Sequence, residues 1–177
     1  SDSDSIVLDT TAAVGTLVLR LADDSANLPS FVNFVNFAAA VETEDNDIVG
    51  YKVWEGAASD EPANWTSVTP DPSDPRILID SLALSTGDGT KTINAKIQDI
   101  AGNVTTLTAV SVVLDQTAPV VTLSSDVSVI SAESGFNTVT FACAATDTNS
   151  AEGLSYELKL GDDVIKSGAL AASVAVT

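Results

Sequence analysis

The chain has 177 residues, 25 acidic against 7 basic side chains, one cysteine, no histidine, and a net charge of −18. That balance excludes nucleic acid as a partner, because phosphate binding needs clustered Lys and Arg, and it argues equally against an anionic membrane surface. Without histidine there is no imidazole triad and no His-ligated metal, and one cysteine allows neither an internal disulfide nor a four-cysteine metal site.

The expected strands, in chain order, cover residues 14–21, 35–41, 48–54, 76–84, 91–99, 104–114, 120–123, 138–145, 154–160 and 172–176. They alternate with period two or are rich in Val, Ile, Thr and Leu. In 91–99, Ile93, Ala95 and Ile97 point one way and Thr92, Asn94, Lys96 and Gln98 the other, the mark of a strand with one buried face. Turn formers separate the runs: Asp45-Asn46-Asp47, Thr86-Gly87-Asp88-Gly89, Ala101-Gly102-Asn103 and Gly161-Asp162-Asp163. Residues 56–75 carry Pro62, Pro70, Pro72 and Pro75 and read as one long, stiff, extended loop. No window gives an amphipathic helix, and no apolar run is long enough to span a bilayer as a helix. Short strands with regular turns read as an all-β, antiparallel β-sandwich chain.

An internal repeat sets the expected boundaries. The segment from Ser5 to Leu17 returns as Ser111 to Leu123 at an offset of 106, Phe37–Ala40 returns as Phe141–Ala144 at 104, and Tyr51–Gly56 returns as Tyr156–Gly161 at 105. A nearly constant offset of about one hundred residues is the size of one Ig-like sandwich. Residues 1–10 then read as the terminal strand or linker of a preceding unit, 11–117 as a complete module, and 118–177 as a second, incomplete one lacking a counterpart of 91–114. The chain starts Ser1-Asp2-Ser3-Asp4-Ser5 without Met and is read as part of something longer. Asp115-Gln116-Thr117-Ala118-Pro119 is too short for a flexible tether, so the modules are expected to stack stiffly.

Thr86-Gly87-Asp88-Gly89-Thr90-Lys91-Thr92, Gln98-Asp99-Ile100-Ala101-Gly102-Asn103-Val104 and Val112-Val113-Leu114-Asp115-Gln116-Thr117-Ala118-Pro119 resemble the ending of bacterial-type Ig-like repeats. The chain departs from that pattern at Ala13, where the family has proline. The resemblance implies tandem Ig-like antiparallel β-sandwiches, the second incomplete. It also implies one of two settings: a tailed-bacteriophage virion protein (tail, baseplate, fibre or capsid decoration) or a large bacterial surface adhesin. Tyr51–Gly56 and Asp126–Ser131 look more like the phage versions. The expectation is a non-enzymatic structural or decorative protein on a virion surface or otherwise extracellular. Its partners are other virion or surface-assembly proteins, as a homo-oligomer or bound to a lattice, with a host-surface glycan as a further contact. The alternatives are an adhesin extender repeat and a carbohydrate-binding module.

Four candidates follow, each beside a plainer reading. Asp99, Asn103 and Asp115 fall at turn and linker positions where adhesin-type repeats hold calcium between modules, and they are expected to gather near one end of the sandwich. The simpler reading of 99–103 is a hairpin turn. Trp54 and Trp65 form the candidate glycan contact, against a role in the core or in anchoring the loop. Lys91 and Lys96 read as salt-bridged or solvated, since no Asn or Asp partner for an isopeptide bond is singled out. Cys143, in phase with Val139 and Phe141, reads as a small buried core residue.

Overall fold

The computed structural model describes residues 8–69, 71, 73–126, 140–148, 154–170 and 174–176. The other positions lie outside the described residues. They include most of the expected terminal strand 1–10, most of 126–131, Pro70 and Pro72, and parts of the expected strands 138–145 and 172–176. The chain divides into unit 1, Ser1–Gln116, and unit 2, Thr117–Thr177. Among the described residues the structure is all-β, apart from one 3-10 turn at Ala58–Asp60.

Unit 1 has two sheets. Sheet A runs in the order β1 (Thr16–Arg20), β3 (Asn36–Glu42), β6 (Ile77–Ala83), antiparallel throughout. Sheet B runs β2 (Phe31–Val32), β9 (Val110–Leu114), β7 (Gly89–Asp99), β4 (Ile48–Glu55), β5 (Thr66–Ser67), and β8 (Val104–Thr106) also pairs with β7. Only β2 with β9 is parallel among these pairs. The two sheets, with strand order 1-3-6 in one and 9-7-4 in the other, make an antiparallel β-sandwich.

The period-two pattern explains the packing. Leu17 and Leu19 of β1, Phe37, Ala39 and Val41 of β3, and Ile77 and Ile79 of β6 meet Ile93, Ala95 and Ile97 of β7 and Val112 and Leu114 of β9 in one core cluster. The inward row of β7 ends in a charge at each pole. Lys91 is 9% exposed and Asp99 1%. A buried charge needs a partner, and each has one. Lys91 donates to Ser85 Oγ at 2.8 Å and lies 3.8 Å from Glu55; Asp99 is held by its turn. All five basic residues of unit 1 are paired in this way. Arg20 and Arg76 meet Asp24, Lys52 and Lys96 meet Glu61, and Lys91 meets Glu55.

In unit 2, β10 (Val120–Ser125), β11 (Phe141–Thr146) and β14 (Val174–Val176) form an antiparallel sheet, and β12 (Ser155–Leu160) and β13 (Asp163–Ala169) form a hairpin. The register of β1–β3 recurs in β10–β11. Leu19 pairs with Ala39, and Leu123 pairs with Cys143, each residue 104 positions on from its counterpart. Leu123 therefore stands in the place of Leu19, whereas the sequence comparison matched it to Leu17. The connection before β10 is two residues shorter than the one before β1. Cys143 is half-buried rather than buried, while its counterpart Ala39 is fully buried.

Candidate functional site

Three chain segments converge at the pole of unit 1 where β1 begins: the leading segment 9–14, the β3–β4 turn 43–47, and the β7–β8 turn 99–103. The last is a hairpin turn, as the simpler reading of 99–103 has it. Asp99 N–H donates to Asn103 O at 3.1 Å, Gly102 N–H donates to Asp99 O at 3.1 Å, and Gly102 has φ +92°. The Asp99 carboxylate accepts from Asn103 N–H at 2.8 Å and from Asn103 Nδ2 at 2.9 Å. Burial pushes the Asp99 carboxyl up, but hydrogen bonds from Asn103, Ala101 and Gly102 outweigh it, and the group ionises below the usual carboxylate range.

The same turn holds the leading segment. Asn103 Nδ2 reaches the carbonyls of Asp9 and Thr11 at 3.4 and 3.5 Å. Thr105 Oγ donates to Ala13 O at 2.6 Å, Val14 N–H donates to Asp45 at 2.6 Å, and Thr43 Oγ donates to Val14 O at 2.6 Å. Ile100 N–H donates to Asp47 O at 3.0 Å, which ties the third segment in. As a result Asp9, Asp47 and Asp99 bring one carboxylate oxygen each within 4.8 Å of one another.

This geometry corrects the expected gathering of Asp99, Asn103 and Asp115. Asn103 is beside Asp99, but Asp115 is at the far pole. Leu114 pairs with Gly89 at the start of β7, and Asp99 ends that strand. Ten residues of strand separate the two positions by roughly 33 Å. The residue that meets Asp99 is Asp9, which the repeat makes the linker counterpart of Asp115. From the sequence, Asp47 reads as a solvated turn residue and a weaker calcium candidate than Asp99, Asn103 and Asp115.

The tryptophans lie elsewhere, on the outer face of sheet B and outside the inter-sheet core. Trp54 is on β4, and Nε1 donates to Ala57 O at 2.9 Å. Trp65 lies over Gly50, with its Cε3 3.5 Å from where a Cβ there would stand. Lys52 Nζ is 5.0 Å from the centre of the Trp65 ring, and Lys96 Nζ is 6.0 Å from that of Trp54. Both rings are half-buried and anchor the segment after β4. Lys96 is salt-bridged to Glu61, as expected, and so is Lys52.

No protein-family model, no curated protein and no solved structure matches this chain.

Proposed function

We propose that the chain is a non-enzymatic structural or decorative component of an extracellular assembly, and specifically a bacteriophage virion protein of the bacterial-type Ig-like repeat class. One observation carries this reading. The strand pair β1–β3 recurs as β10–β11 in the same register, and the segment leading into unit 1 is bonded along its length to the unit it enters. A repeat whose connection is built into the module suits a part that spaces and braces. The work is done by surfaces and loops, with other copies or other virion proteins as partners and a host-surface glycan as a further contact. Gold-labelled antibody against unit 1 should decorate purified phage particles at repeated positions. Label confined to the bacterial cell surface would favour the second reading, an adhesin extender repeat.

Calcium belongs to the same proposal. Calcium takes six to eight oxygens. Asp9, Asp47 and Asp99 are the side chains of unit 1 that would hold it, with backbone oxygens and water completing the shell. The ion would neutralise three carboxylates that otherwise repel, and would tighten the leading segment against the two turns.

A further inference from the structure

The segment after β4 is held on sheet B by polar contacts as well as by the packing of Trp65 over Gly50. Gly56 N–H donates to Thr92 O at 2.9 Å, and Asn94 Nδ2 donates to Gly56 O at 2.9 Å. The 3-10 turn 58–60 buries no residue. Pro62, Ala63 and Asn64 are exposed, and β5 then pairs with the outer edge of β4 at Gly50 and Tyr51. At the centre of this strap is Glu61. Its two oxygens each take a different ammonium, Oε1 from Lys52 at 3.0 Å and Oε2 from Lys96 at 2.6 Å. Lys52 and Lys96 are direct cross-strand partners on β4 and β7. Like charges so placed repel, and Lys52 is only 8% exposed. Glu61 is therefore the counter-charge for two lysines as well as the fastening of the strap.

We propose that residues 56–67 form a latched cover over the outer face and edge of sheet B, that Glu61 is the latch, and that acid releases the cover while the sandwich beneath stays folded. The charged groups facing Glu61 are Lys52 from β4 and Lys96 from β7; Asp60, on the strap itself, is bonded to Ala57 N–H at 2.8 Å. Hydrogen bonds from Lys96 first and Lys52 second hold the Glu61 carboxyl below the usual glutamate range. A carboxyl depressed in the folded state stabilises it at and above the ordinary range and loses that contribution as pH falls through the folded-state value. The cover is shut at neutral pH and opens only below the ordinary glutamate range. Opening uncovers Trp54 and lifts Trp65 off Gly50, and these are the chain's two tryptophans. It also bares the β4 edge, and a bare strand edge is a template for another strand.

Glu61→Gln keeps the shape and an acceptor oxygen but removes the charge. At neutral pH it should show the tryptophan emission shift that the natural chain shows only in acid. Proteolytic cleavage within 56–65 should rise about tenfold, as charge-assisted bonds become neutral ones, with far-UV circular dichroism unchanged. Emission and cleavage equal to the natural chain at neutral pH would overturn the proposal. Should Glu61→Gln fail to fold, Lys96→Met is read instead by its pH midpoint. Removing the larger stabiliser of the carboxylate should move the midpoint of strap release upward, toward the ordinary glutamate range. An unmoved midpoint, or release in the natural chain that coincides with loss of the whole sheet signal, would contradict the latch.

Discussion

Asn103 and Asp9 are 94 residues apart in sequence, yet the Asn103 side-chain amide reaches the Asp9 carbonyl at 3.4 Å. The contact makes the turn that closes the β7–β8 hairpin also the clasp of the segment leading into β1. Residues 9–14 are thus part of the folded unit although they form no strand. One side chain serves both jobs because an amide offers two donors: it bonds the Asp99 carboxylate and reaches the carbonyls of the leading segment.

Replacing that amide tests the clasp. Asn103→Ala removes the side-chain bond to Asp99 and the reach to Asp9 and Thr11. The expected cost is about 1–3 kcal/mol for a partly buried polar group left without its partner. Limited proteolysis should show new cleavage at residues 9–13 before any in the sheets. Cleavage there at the natural rate would mean that Asn103 serves the turn alone.

Gly15 probes the same pole from inside. A Cβ there would stand 2.8 Å from Val41 Cγ1 and 3.4 Å from the Glu42 carbonyl. Val41 is fully buried in the core and cannot step aside freely. Gly15→Ala should therefore destabilise unit 1 by about 1–3 kcal/mol, as overpacking does. A urea titration reads it as a lower midpoint at unchanged slope. No change in midpoint would show that the chain passes β3 less closely than this.

The core makes a plainer prediction. Phe37 is 2% exposed and belongs to the inter-sheet cluster. Phe37→Ala should cost about 3–5 kcal/mol, measured by denaturant unfolding of unit 1. Phe141, its counterpart on β11, is only half-buried, so Phe141→Ala should cost less. Equal losses would mean that the two units bury their repeats alike.

Calcium gives a test by titration. If Asp9, Asp47 and Asp99 hold the ion, calcium at about one hundred times its dissociation constant should stabilise unit 1 by about 2.7 kcal/mol. Chelator should remove the gain, and Asp47→Asn should reduce it sharply. The expectation for a set including Asp115 differs: chelation would leave the melting of unit 1 nearly unchanged. Identical melting curves with calcium and with chelator would remove calcium from the account.

Much of the fold was legible because one face of each long strand is buried. Ile93, Ala95 and Ile97 alternate with polar residues, and β7 lies where they put it. The repeat likewise carried structural content in one strand pair, since β10–β11 has the register of β1–β3 at an offset of 104. Three strands were missed for physical reasons. β2 and β5 have two residues each, too few to show a period. β13 mixes Asp163, Lys166, Ser167 and Gly168 with only two β-branched residues and is exposed on every residue, so its sequence shows neither a Val- and Leu-rich run like that of β10 nor a buried face. The run 104–114 is two strands, with Leu107 between them bonding Ala95 O at 3.0 Å. The 56–75 segment was expected to be stiff and extended. It holds a 3-10 turn and a short strand, fixed by Glu61 and Trp65, whose roles depend on lysines from two other strands. Asp115 was misplaced because closeness in sequence to Asp99 says nothing about direction. β9 runs antiparallel to β7, away from the turn that joins them, and ends at the opposite pole.

The leading segment is bonded to unit 1 as a rigid part of it, which the proposed spacing and bracing role requires. Backbone amide order parameters from nuclear magnetic resonance relaxation test it most directly, read at Thr11 to Val14. The account predicts values near those of the sheets, about 0.85, whereas values below about 0.6 would mark a flexible tether and contradict it.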